Sequence, residues 1–128
     1  MPYTIDRLLT DVSFDAAETR TRAALQAAGF GVLTEIDVAT TMKKKLDRDM
    51  PPYLILGACN PGMAWEAMRA EPKIGAMLPC NVILRAVDGG VEVSAIDPVA
   101  SMQAVESGGL TTVAGQVRDM LTKVVAAI

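Results

Sequence analysis

The chain of 128 residues holds two cysteines, Cys59 and Cys80, and no histidine. Cys59 precedes Asn60 and Pro61, and Cys80 lies between Pro79 and Asn81, so the motifs "ACNP" and "LPCN" resemble each other. Two thiols could support a reversible disulfide, a persulfide carrier or a soft-metal site. The absence of histidine excludes Ser-His and Cys-His nucleophile pairs and His-ligated zinc. Any general acid or base would have to be Asp, Glu, Lys, Tyr or Cys. Neither cysteine belongs to a C-x-x-C pair, so the spacing supports neither zinc nor dithiol redox chemistry, and no metal site is expected. No G-x-G-x-x-G fingerprint or Walker-type loop is present. The plain alternative is structural. Free cysteine is among the most buried residue types, and "CNP" is ordinary strand-to-helix punctuation.

The elements that must hold these residues follow from periodicity and caps. Residues 2–9 alternate loosely and predict a first strand. Ser13 is an N-cap for a helix whose buried stripe is Phe14, Ala17, Thr21, Ala24, Leu25 and Ala28, ending at Gly29. Residues 30–38 predict a strand with Phe30, Val32, Thr34, Ile36 and Val38 packed on the core and Glu35 and Asp37 on a more polar face. That carboxylate pair is a secondary candidate for acid/base work, although a solvated strand face is the simpler reading. Thr40 or Thr41 is expected to cap a short helix that "DMPP", residues 49–52, breaks.

"YLILGAC", residues 53–59, reads as a central strand, apolar on both faces. Asn60 then Pro61 is a strong helix start, with Ala64, Ala67 and Met68 expected inward and Trp65 half-buried. Residues 81–87 and 91–97 predict a hairpin across "DGG", with Asp97-Pro98 ending its second strand. A last helix over 110–127 carries Leu110, Val113, Ala114, Val117, Leu121, Val124, Val125 and Ile128 on one stripe. The expected fold is α+β: one domain over 1–128, a two-layer sandwich with a mainly antiparallel sheet covered by two long helices. A three-layer α/β arrangement is the alternative.

If the strand ending at Cys59 and the one starting at Asn81 are antiparallel neighbours, Cys59 and Cys80 meet at one end of the sheet. The hairpin then returns Asp97 to that same end. Cys59 also precedes a helix N-terminus, whose free N–H groups favour negative charge, either on a thiolate or on a ligand carboxylate or phosphate.

Composition sets outer limits. The chain is 51% hydrophobic but 4% aromatic, so aliphatic residues must do the packing. A net charge of −3 leaves no basic footprint for nucleic acid. The cluster Lys43, Lys44, Lys45 and Arg48, with Asp47 inside it, reads as a solvated helix face. Residues 1–20 are too charged for a signal sequence and no run is long enough to span a membrane, so a cytoplasmic location is expected.

The stretches "LQAAGFGVLTEIDV", "YLILGACNPGMAWEAM", "IGAMLPCNVIL" and "VSAIDPVASM" together resemble the bacterial and archaeal family catalogued as domain of unknown function 302. The resemblance spans residues 14–124. It implies a compact α+β domain similar to TATA-binding-protein-like folds, and a homodimer. It implies no established reaction and no DNA binding, since fold does not carry function. Its motif positions are Asp37, Cys59, Asn60, Pro61, Pro79, Cys80, Asp97 and Pro98. The functional expectation is a small ligand, possibly anionic, bound at the Cys59/Cys80 end by Cys59, Asn60, Pro61, Pro79, Cys80 and Asp97. The alternatives are thiol chemistry at the two cysteines and a dimerisation module without chemistry. The sequence names no cofactor and does not decide whether the protein is an enzyme.

Overall fold

A computed structural model describes residues 2–128. In chain order the elements are β1 (Thr4–Leu9), α1 (Phe14–Ala27), β2 (Gly31–Asp37), α2 (Val38–Leu46), β3 (Tyr53–Cys59), α3 (Pro61–Ala70), a 3-10 segment (Pro72–Met77), β4 (Cys80–Val87), β5 (Gly90–Ile96), α4 (Pro98–Ser101) and α5 (Gly108–Ala127). The strands form one sheet in the order β1-β5-β4-β3-β2, and every neighbouring pair is antiparallel. Because side chains alternate along a strand, one face of this sheet carries Leu54, Leu56 and Ala58, then Cys80, Val82 and Leu84, then Val91, Val93 and Ala95. These residues join Ala17 and Leu25 of α1 and Val117, Leu121, Val124 and Val125 of α5 in the main core. The result is the expected α+β two-layer sandwich, compatible with a TATA-binding-protein-like arrangement. A second cluster joins α3 to α5 through Ala67, Ile74, Met102, Leu110 and Ala114.

Local chemistry explains the element ends. Ser13 accepts from the Ala16 amide and opens α1. At its other end the Gly29 amide donates to Gln26 O (3.0 Å) and the Phe30 amide to Leu25 O (2.9 Å), with Gly29 at φ +86°. This is a Schellman closure, and it tucks Phe30 under the sheet. Arg7 reaches from β1 to donate to the carbonyls of Val125 (3.2 Å) and Ala126 (2.9 Å), so a cation closes the negative end of α5.

Three expectations change. β2 is an edge strand, and a bulge between Val32 and Thr34 breaks its alternation. It is therefore not packed on the core along one side: Ile36 is 48% exposed and Thr34 is exposed. The α2 helix begins at Val38, because the Asp37 carboxylate caps it through the Thr40 amide (2.9 Å), in place of Thr40 or Thr41. On α3, Met63 and Ala67 turn inward, which leaves Met68 exposed and Trp65 62% exposed. The Lys43 ammonium pairs with Asp47 (2.9 Å) and Asp49 (3.2 Å) on an exposed surface.

The β4–β5 hairpin turns through Asp88 and Gly89, with Gly89 at φ +90° and open space around it. Gly90 differs: a Cβ there would collide with the Leu9 carbonyl oxygen, a backbone atom that cannot step aside. Gly90→Ala is expected to cost about 2–3 kcal/mol in urea unfolding, because the β1–β5 pairing must shift. Gly89→Asn is expected to cost under about 1 kcal/mol, since asparagine tolerates the left-handed region.

Candidate functional site

The ladder pairs Ala58 with Cys80, so Cys59 and Cys80 lie one step from facing each other at one end of the sheet. The β4–β5 register, Val82 against Ala95, continues to place Asp97 opposite Cys80. The structure thus gathers Cys59, Asn60, Pro61, Pro79, Cys80 and Asp97 at one sheet end. Glu35 and Asp37 are not among them. They pair with Leu56 and Leu54, toward the far end of β3. Glu35 forms an ion pair with Arg22 of α1 (2.8 Å), which also binds Glu18 (2.9 Å), and Asp37 is the α2 cap. Both carboxylates therefore have structural partners.

Behind the cysteines lies a crevice between the sheet end and the helices. Its walls include Cys59, Asn60 and Cys80 from the sheet end, Met63 and Ala64 from α3, Pro79, Met102 after α4, and Val113 and Ala114 from α5. The lining is apolar, and its volume is about 30 Å³. A water needs roughly 10–15 Å³, and a cavity of about 150 Å³ holds benzene, so the closed crevice admits a few atoms. Sequence reasoning missed Met63, Met102, Val113 and Ala114. Val113 and Ala114 read as core from the spacing of the last helix, which does not distinguish a filled interior from a lined gap, whereas Met63 and Met102 carry no signal at all.

Both oxygens of Asn60 are already engaged. Asn60 Oδ1 accepts from the Met63 amide (3.2 Å), and Asn60 O accepts from the Ala64 amide (2.9 Å). Pro61 has no N–H to give. Of the expected donors in the 60–62 turn, Pro61 can therefore contribute nothing to an anion. A Cβ on Gly29 would sit 3.3 Å from Asn60 Nδ2, so the α1 terminus and the α3 cap pack tightly together. Gly57 is equally confined, since a Cβ would collide with Thr34 Oγ1 and approach Pro79 Cγ at 2.7 Å.

Asp97 is 5% exposed. Its Oδ1 accepts from the amides of Val99 (2.9 Å) and Ala100 (3.4 Å), opening α4, a turn the sequence reading did not separate from the loop. Its Oδ2 lies 3.3 Å from Arg118 Nε on α5. Asp97 thus ties β5, α4 and α5 together beside the crevice.

Both thiols are free; Cys59 is half-buried and Cys80 is buried. Burial pushes the Cys80 thiol up to about 11, and the neighbouring Cys59 adds to the shift. Near neutral pH Cys80 is a protonated thiol inside the crevice wall. Among the described residues, no three Cys, Asp or Glu groups converge on a possible metal position.

An antiparallel sheet layered on one side by helices, with a cysteine-lined apolar crevice at its end, defines the class: a small α+β sandwich domain. The chain belongs to the family described as domain of unknown function DUF302, which it matches over residues 6–128. Its fold is similar to the crystal structure of the uncharacterized conserved protein DUF302 from Bacillus stearothermophilus. The TM-score is 0.87 at 22% identity, covering 98% of this chain and 95% of that one. Comparison with curated proteins gives no match. No helix among the described residues is long and apolar enough to cross a membrane.

The raised Cys80 pKa makes a signed prediction. Between about pH 9 and 11 the unfolded thiol ionises while the folded one keeps its proton. Its contribution to stability is full below pH 9 and falls as pH rises toward 11, by about 2 kcal/mol. Urea unfolding at pH 8 and pH 10.5 should show this loss in the wild type and a smaller one in Cys80→Ala. For Asp97, the cap and the Arg118 contact separate by substitution. Asp97→Ala is expected to cost about 2–3 kcal/mol, and Asp97→Asn, which keeps an acceptor for the α4 amides, about 1 kcal/mol. Arg118→Ala should cost less than about 1 kcal/mol, because its side chain is half exposed.

Proposed function

We propose that the protein binds a small apolar molecule, or the apolar tip of a larger one, in the crevice beside Cys59 and Cys80. One observation carries this reading. Walls from the sheet end, α3 and α5 converge on an apolar gap that both free cysteines line. Such a gap is an unusual thing to leave in a protein interior packed to crystal density. An anionic ligand is less well supported, because Pro61 lacks an N–H and Asn60 already holds the Met63 and Ala64 amides. The small volume favours a ligand of few atoms, with larger ones requiring α3 to move away from α5.

Thiol chemistry is the second reading, favoured by the placement of both free cysteines one step apart on the paired ends of β3 and β4. In that reading the half-buried Cys59 is the more accessible sulfur, and Cys80 would answer it from inside the wall. Mass spectrometry after equilibration in an oxidising glutathione buffer would show loss of both free thiols within one chain. Retention of two free thiols counts against it.

Xenon is the direct probe of the first reading, since it enters apolar cavities and makes no hydrogen bonds. Under xenon pressure, the amide resonances of Met63, Ala67 and Ala114 are expected to shift in the wild type. In Ala64→Leu, whose added side chain fills the gap from α3, those shifts should fall at least about fivefold. Equal shifts in both proteins, or none at the crevice in either, contradict the reading.

A further inference from the structure

We propose that the hollow between α4 and the start of α5 binds an uncharged amphiphile, whose polar end stays in the hollow while its apolar tip passes Met102 into the crevice. Entry of the tip rests on the proposed function of the crevice; the hollow, the route and the ligand class go beyond it. The hollow holds about 220 Å³ against about 30 Å³ for the crevice, and Met102, Leu110 and Ala114 line both. These three side chains are therefore the partition between the two spaces. The hollow exceeds the roughly 150 Å³ that holds benzene. Its lining includes Gln103 and Thr111, both exposed, so it is reached from solvent.

Of the partition, Met102 is the part that can move. Ala114 has no side-chain torsion, and Leu110 is 1% exposed inside the second core cluster. The Met102 side chain is unbranched, with a run of rotatable bonds and a polarizable sulfur, which suits it to repack around a guest. Its backbone is fixed, the amide donating to Pro98 O (3.1 Å) and the carbonyl accepting from the Val105 amide (3.0 Å). Joining the two spaces therefore needs side-chain rotation alone. Only a tip of few atoms enters the crevice, so α3 stays packed on α5.

The chemistry of the walls selects the ligand. Among the described residues that line the hollow and the crevice, none is charged. Asp97, which precedes α4, is engaged by Arg118 and the α4 amides. A carboxylate or ammonium entering here would lose water and gain no counter-ion. The polar side chains of the hollow are Gln103 and Thr111. Thr111 Oγ1 donates its proton to Ser107 O (3.0 Å), so toward a ligand it acts as an acceptor. The polar end that fits is therefore a neutral donor such as a hydroxyl. Val99, Val105 and Leu110 offer apolar contact to the chain behind it.

Titration of the full chain with 1-hexanol, followed through amide resonances, tests the proposal. The Val105 and Thr111 amides beside the hollow and the Met63 and Ala67 amides beside the crevice should shift with one dissociation constant. Hexanoate and hexylammonium, of equal chain length and charged at neutral pH, should bind at least about tenfold more weakly. Thr111→Phe, which fills the hollow from an exposed position, should abolish the hexanol shifts at all four amides while xenon still shifts Met63 and Ala67. Met102→Leu conserves volume but is less adaptable, and should keep the Thr111 shift while cutting the Met63 shift at least about threefold. Equal binding of hexanoate, hexanol shifts that persist in Thr111→Phe, or an unchanged Met63 shift in Met102→Leu overturn the proposal. Xenon shifts at Met63 with no hexanol shift at Thr111 also overturn it and leave the crevice as a binding space. With no xenon shift at Met63, both fall.

Discussion

The pairing of Ala58 with Cys80 across β3 and β4 is the constraint on which the molecule rests. With that register, Leu54, Leu56 and Ala58 share a face with Cys80, Val82 and Leu84, and α1 and α5 can close over all six. A slip of one residue would turn this set outward and bring Gly57, Asn81 and Arg85 under the helices. The same pairing desolvates Cys80, which raises its pKa, and leaves Cys59 at the strand end beside the start of α3. The β3–β4 register therefore fixes the core, the crevice and the burial of Cys80 together.

Around that pairing, polar side chains are spent on holding ends. Asn60 closes α3, Asp97 closes α4 and reaches α5, and Arg7 closes the far end of α5. Each satisfies backbone groups that a helix terminus cannot satisfy alone. The consequence is chemical. A corner that reads as polar in sequence, with two asparagines and an aspartate near two cysteines, presents an apolar interior once folded. The two proline-containing stretches border a gap lined largely by methionine, alanine and cysteine side chains.

Much of this was legible in the sequence, and the exceptions have physical causes. Ser13, Asn60 and Gly29 announced their helix ends because caps are local, and the α5 stripe from Leu110 to Ile128 is nearly the buried set observed. β2 misled because alternation in residues 30–38 is the same for an edge strand as for a central one, and a bulge leaves no local mark. Asp37 looked like half of a carboxylate pair, yet its position three residues before Thr40 is that of a cap. The site's sheet-end residues were readable from the hairpin and the strand order. Its helical walls were not, since Met102, Val113 and Ala114 reach it from far along the chain through contacts that no local pattern encodes.

The central claim is that Cys59 and Cys80 open on one apolar crevice that a small molecule can occupy. The most direct measurement is the alkylation rate of each cysteine in the native protein, followed by peptide mass spectrometry with and without xenon pressure. Cys59 is expected to react faster than the buried Cys80, and xenon to slow both. Rates that xenon leaves unchanged, or slows at one cysteine only, would contradict a shared crevice.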